Sequence, residues 1–122
     1  MRIRKANTDM DKEEILLIAK ASDALAHPAR VEIFHYIYLK NKEFKTVCNK
    51  DLVENFDYSQ ATISQHVRKL IHSGLVETRR KGTFSYYYAN FGMLAKYTDA
   101  VKKLNSAVSS AKAQTPEGGS QA

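Results

Sequence analysis

The sequence predicts a mainly α, α+β fold, with four helices, one β-hairpin and a long final helix, in the order of a winged helix-turn-helix. Three observations carry this. The apolar period changes from helical to strand-like after Gly74. A short helix and a tight turn precede a longer helix that opens at Ser59 and is polar on one side. The last helix carries apolar residues at alternating spacings of three and four, the pattern of a helix that pairs with another helix.

The elements follow in order. Asp9 or Asp11 caps a first helix over about 11–25, with Glu13 and Glu14 in its electropositive first turn. Ile15, Leu16, Leu17, Ile18, Ala21 and Leu25 make it apolar around much of its circumference, so it needs more than one packing surface. Pro28 opens the second helix, expected to run to about Lys40 with Val31, Ile33, Phe34, Ile37 and Tyr38 at helical spacing. A charged connection spans 40–45, and a short helix spans about 49–55. Ser59 caps a helix to about His72, stopped at Gly74. Runs at 75–80 and 83–89, joined at Lys81-Gly82, make the hairpin, with Phe84, Tyr86 and Tyr88 on one face. Packing is the favoured role of Tyr86, Tyr87 and Tyr88, stacking on unpaired bases the alternative. Asn90 caps a last helix over about 91–113. Its seam of Leu94, Tyr97, Val101, Leu104 and Val108, with Leu16 and Leu17 of the first helix, is the expected dimer interface.

The predicted domain is therefore 10–113, between a 1–9 N-terminal arm and a 114–122 tail without large apolar residues, which is expected to be disordered. The 122 residues are 43% hydrophobic and 26% charged, ordinary for one globular domain. Nineteen Lys and Arg against thirteen Asp and Glu give a net charge of +6, which favours a polyanionic partner. No run approaches the ~18 apolar residues that cross a bilayer, and no apolar stretch follows the basic first five residues as a signal peptide requires. Cytoplasmic location and no membrane partner are expected. One cysteine, Cys48, rules out an intrachain disulfide and a four-cysteine zinc site. No nucleophile–base–acid grouping, phosphate-cradling loop or metal set stands out, so neither an enzyme nor a cofactor is expected.

The helix from Ser59 carries the candidate chemistry. Ile63, Val67, Leu70 and Ile71 share an anchoring face. Gln60, Thr62, Ser64, Gln65 and Arg68 lie mostly elsewhere, and these side chains suit a major groove: Gln pairs with adenine, Arg with guanine, Ser and Thr with base edges or phosphates. No acid occurs from Ser59 to Leu75, where it would repel phosphate. Lys69 adds charge, and Arg79, Arg80 and Lys81 are expected at the hairpin tip, facing phosphates or the minor groove. Ser59 reads first as a cap whose turn also offers an N–H to phosphate. His66 has two open readings, a phosphate contact or a local hydrogen bond. Double-stranded DNA is the expected partner; the alternative is a winged-helix module for protein–protein or RNA contact.

These residues resemble the ArsR/SmtB-type repressors. The likeness begins at Ala24-Leu-Ala-His-Pro-Ala-Arg-Val-Glu-Ile-Phe34 and is strongest at Tyr58-Ser-Gln-Ala-Thr-Ile-Ser-Gln-His-Val-Arg-Lys-Leu70 and Ser73-Gly-Leu-Val76. It covers roughly residues 10–110. It implies a homodimeric repressor on an inverted-repeat operator, released by an inducer that the residues do not identify. Two metal-sensing arrangements of the family are not matched. Cys48 stands at the first position of a cysteine pair, but Lys50 occupies the second. Asp99 matches one ligand of a site on the last helix, where Val101 and Lys112 replace others and no histidine occurs. No metal is therefore expected, and Cys48 reads as a small, partly buried residue.

Overall fold

The computed structural model describes residues 10–106. Its elements are α1 (Lys12–Ala24), α2 (Pro28–Lys42), β1 (Val47–Cys48), α3 (Asn49–Asn55), α4 (Gln60–His72), β2 (Val76–Lys81), β3 (Phe84–Ala89) and α5 (Phe91–Ser106). The arm, the tail, Val108 and the predicted end of the last helix lie outside the described residues.

Local chemistry sets the boundaries. Asp11 and Glu14 form a reciprocal capping box: the Glu14 N–H donates to Asp11 Oδ1 at 2.8 Å and the Asp11 N–H to Glu14 Oε1 at 3.0 Å. At α2, His27 Nδ1 accepts the Ala29 N–H at 3.1 Å and Pro28 fills the first turn, where a missing N–H costs nothing. α2 runs two residues past the expected end, to Lys42. It then closes with Phe44 at φ 62°, a left-handed stop usually given to glycine. Two backbone bonds hold that stop, Phe44 N–H to Asn41 O at 2.9 Å and Lys45 N–H to Lys40 O at 2.9 Å. Ser59 Oγ accepts the Thr62 N–H at 3.2 Å to start α4, and Gly74 at φ 87° ends it.

The sheet has three strands, ordered β1-β3-β2 and antiparallel throughout. The sequence reading expected only the hairpin. β1 is two residues long, too short to show a period, and pairing identifies it: Val47 opposite Tyr87 and Cys48 opposite Tyr86. Lys81 pairs with Phe84, so the hairpin turn is Gly82-Thr83, with Gly82 at φ 63°. Phe84, Tyr86 and Tyr88 do share a face, but the core lies under the other one, where Tyr87 and Ala89 are buried.

The core is centred on α2 and α4. Ile33, Ile37, Leu52, Ile63, Leu70 and Leu75 are wholly buried, with Val47, Val67 and Val76 beside them. α1 lies antiparallel on α5, held at one end by Lys103 Nζ to Glu14 Oε2 at 2.9 Å and at the other by Ser22 Oγ and Tyr97 OH at 3.1 Å. Only alanines are fully buried from this pair, Ala21, Ala24 and Ala100. Leu16 and Leu104 remain 52% and 56% exposed.

Candidate nucleic-acid interface

α4 follows its own hydrophobic pattern. Ile63, Val67 and Leu70 face the core. Opposite them, Ala61, Gln65, Arg68 and His72 form an exposed ridge. Spacings of three and four place these four residues on one line along the helix. Gln65 and Arg68 were expected there; Ala61 and His72 were not singled out. Their signal was the same periodicity, since a small residue lets a helix approach a groove closely.

The remaining polar residues of α4 divide between two flanks. Gln60 and Ser64 face α3 and the hairpin, lining a groove of about 590 Å³ with Asn49, Lys50, Thr83 and Ser85. Asn49 and Lys50 reach it from the start of α3, and only the folded arrangement brings them there. Glu54, also at this groove, lies 3.9 Å from Lys50 as an exposed pair. Thr62 is engaged in the helix cap: its N–H goes to Ser59 Oγ, and the Ser59 hydroxyl donates to Thr62 Oγ1 at 3.1 Å. Ser59 is thus a cap, the first of its readings. Lys69 is exposed beside His72 on the flank facing the α1–α2 corner.

His66 is half-buried on that same flank. Its ring lies 4.8 Å from His27 and 6.0 Å from Tyr58, and its Nδ1 is 3.5 Å from Arg30 Nη1. Burial pushes its pKa below the usual histidine value, and the His27 and Arg30 charges push the same way. A local partner is therefore present.

The hairpin cations do not sit where the sequence reading put them. Arg79, Arg80 and Lys81 are all paired on β2, and only Lys81 adjoins the Gly82-Thr83 turn. Strand alternation separates them, Arg79 and Lys81 to the outer face and Arg80 to the face that carries Val76, Tyr87 and Ala89. Arg80 is opposite Ser85, which lines the groove beside α4. Arg79 instead lies 4.6 Å over the Tyr88 ring and 3.6 Å from the Glu77 carboxylate. The spacing of two between Arg79 and Lys81 already held this split.

The expected dimer residues also divide. Leu94 and Tyr97 pack against this chain's own core, and Leu17 is half-buried in a shallow cleft with Lys96 and Asp99. Leu16, Val101 and Leu104 stay exposed, joined by Ile15. Cys48 works at the start of α3: the Asp51 carboxylate accepts its N–H at 2.9 Å and its thiol at 3.4 Å. Asp99 is exposed on α5, and Lys112 lies outside the described residues. Among the described residues, no helix is long and apolar enough to cross a membrane.

The comparisons agree with this geometry. Residues 27–78 match the profile of the family described as "Bacterial regulatory protein, arsR family". The chain is 33% identical over 85 residues to the arsenical resistance operon repressor of Staphylococcus xylosus, covering 70% of this chain and 74% of that protein. It is 37% identical over 59 residues to the repressor of the same description from Staphylococcus aureus, covering 48% of this chain and about half (54%) of that one. The fold matches the homodimeric winged helix-turn-helix DNA-binding domain of Mb0332 from Mycobacterium bovis, a possible ArsR-family transcriptional regulator. The TM-score is 0.60 at 17% identity, covering 93% of this chain and 99% of that one. The relatives are transcriptional regulators, and the chain belongs to the arsR family of bacterial regulatory proteins.

Proposed function

We propose that this chain is a cytoplasmic transcriptional repressor that binds an inverted-repeat DNA operator as a homodimer. The observation that carries the reading is the α4 ridge. It is exposed, free of acids and built of Gln65 and Arg68 beside the small Ala61, on a helix anchored by three buried side chains. A helix of that kind fits the major groove, where Arg reads guanine and Gln reads adenine through paired hydrogen bonds. Gln60 and Ser64 face the neighbouring base edges or backbone. Arg80, Lys50 and the hairpin end approach phosphates on one side, with Lys81 and Arg79 adding charge from the outer face.

The dimer reading rests on unfinished packing. α1 and α5 fully bury only alanines and leave Ile15, Leu16, Val101 and Leu104 toward solvent. A second copy covers this face and supplies a second reading helix. The Mycobacterium bovis domain of like fold is homodimeric, which supports the same assembly.

The test is a titration of the chain against labelled duplex from upstream of its own gene, with scrambled duplex as control, at two salt concentrations. Each phosphate neutralised contributes about −0.9 to the slope of log K against log salt. Tight, salt-steep binding to the upstream fragment alone is the expected result. Equal, weak binding to both duplexes, with tighter binding to RNA or a protein, contradicts it.

A further inference from the structure

The flank of α4 away from the wing is also basic. A cleft of about 400 Å³ there is bounded by Arg30, Gln65, His66, Arg68, Lys69 and His72, with no carboxylate in its lining. An adjoining cleft shares Lys69 and His72 and extends toward Lys20 and Asp23.

Arg30 is a built part of this cleft. Its Nε donates to Ala24 O at 2.7 Å and its Nη2 to Asp23 O at 3.3 Å, while Nη1 lies 3.5 Å from His66 Nδ1. Both carbonyls belong to the C-terminal turn of α1, which has no basic residue of its own, and Asp23 O also accepts the Ala26 N–H at 3.2 Å. The guanidinium thus satisfies the negative end of α1 and is held in place against α4. Three of its five N–H groups are engaged, which leaves two in a fixed fork suited to a phosphate. With Nδ1 of His66 facing Arg30 as acceptor, the neutral ring carries its proton on Nε2, a further donor.

We propose that this cleft is a phosphate-binding site in which Arg30, His66 and Lys69 hold one phosphate group beside the reading helix. Geometry favours a DNA phosphate. A helix in a major groove about 12 Å wide is bordered by two backbones, one on each side. The wing flank meets one of them, and the Arg30 flank is the part of the molecule placed for the other. The contact is independent of sequence, fixes the depth and angle of α4, and ties them to α1 in the dimer layer through the Ala24 and Asp23 carbonyls. The same chemistry accepts a free phosphate or phosphorylated small molecule, which would then compete with DNA. The DNA source rests on the function proposed above; the site itself does not.

Two variants test it, Arg30→Gln and Lys69→Gln, the second in case the first disturbs the α1 corner; both are first checked for fold by circular dichroism. Affinity for specific and scrambled duplex is measured across a salt series. Separately, inorganic phosphate is titrated into the wild-type chain without DNA, with chloride at matched ionic strength as control, following the His66 ring by NMR. A DNA source predicts a salt slope lower by about one and an equal fold-loss on both duplexes. A purely structural role for Arg30 leaves the slope unchanged. A free-anion source predicts an unchanged slope, a phosphate-specific shift of the His66 signals with a raised pKa, and weaker DNA binding in phosphate. An unchanged slope in both variants together with a His66 signal indifferent to phosphate overturns the proposal. If wild type binds no duplex in a salt-dependent way, the DNA reading fails, and the phosphate titration still decides the cleft.

Discussion

The reading half of the molecule and the α1–α5 layer are packed to different degrees. α4 presses Ile63, Val67 and Leu70 into the core, with at most 2% of any of them exposed, and turns polar side chains outward. α1 and α5 fully bury only alanines, Ala21, Ala24 and Ala100, and leave Leu16 and Leu104 more than half exposed. The first arrangement is complete within one chain. The second leaves apolar side chains in water, which the partner copy proposed above would cover, since apolar surface of this kind is stabilised chiefly by removal from water. Folding finishes one apolar face of this chain and leaves another exposed.

The largest effect should come from the finished core. Leu70→Ala should lower unfolding free energy by about 2–5 kcal/mol, because the wholly buried side chain leaves a cavity. Denaturant titration measures this, and a loss below 1 kcal/mol would mean that α4 is loosely seated. The next effect separates the two regions. If two copies pair through α1 and α5 as proposed, Leu104→Glu should give a monomer in sedimentation velocity while far-UV circular dichroism stays unchanged, since a charge at a dry interface is left unpaired. A variant that still sediments as a dimer removes α5 from the interface.

On the outer side of α4, Arg68→Ala should cost about 1–3 kcal/mol on a selected operator and much less on scrambled duplex. Equal losses would make Arg68 a phosphate contact and move base reading to Gln65 and Gln60.

The smallest effect is in pH, and it distinguishes the regions by where each one titrates. His66 has its pKa lowered by burial first, then by His27 and Arg30. The unfolded chain therefore binds its proton more readily, and stability falls as pH drops from the ordinary histidine value near 6.5 toward the lower folded value. Glu14 has its pKa lowered by the Lys103 hydrogen bond first and then by the Asp11 N–H. Its contribution is present above the unfolded carboxylate value and is lost as pH falls through the folded one. Thermal melts should thus weaken in two steps on acidification, with His66→Gln removing the upper and Glu14→Gln the lower. A single step unaffected by either variant would break the assignment.

How legible each region was follows from the range of its interactions. α4 was readable because its Ser59 cap and apolar repeat are local in sequence, and α3 was readable as a short helix although its Cys48 cap was not. The exposure of Leu16, Val101 and Leu104 fits the apolar seam that the sequence showed, although Leu94 and Tyr97 in that seam serve their own chain's core. β1 was not legible, because two residues carry no period and depend on Tyr86 and Tyr87 some 40 positions away. Nor was the Arg30–His66 contact, which joins residues 36 apart. The separation of Arg79 and Lys81 from Arg80 could have been read from alternation alone.

In the proposed assembly two copies, joined through α1 and α5, present two α4 helices to one duplex. The most direct measurement is selection of bound duplexes from a random pool, followed by sequencing. Such a pair should enrich two inverted half-sites centred one helical turn apart, about 34 Å, or a whole multiple of it. Enrichment of a single unrepeated site, or no enrichment over the starting pool, would contradict it.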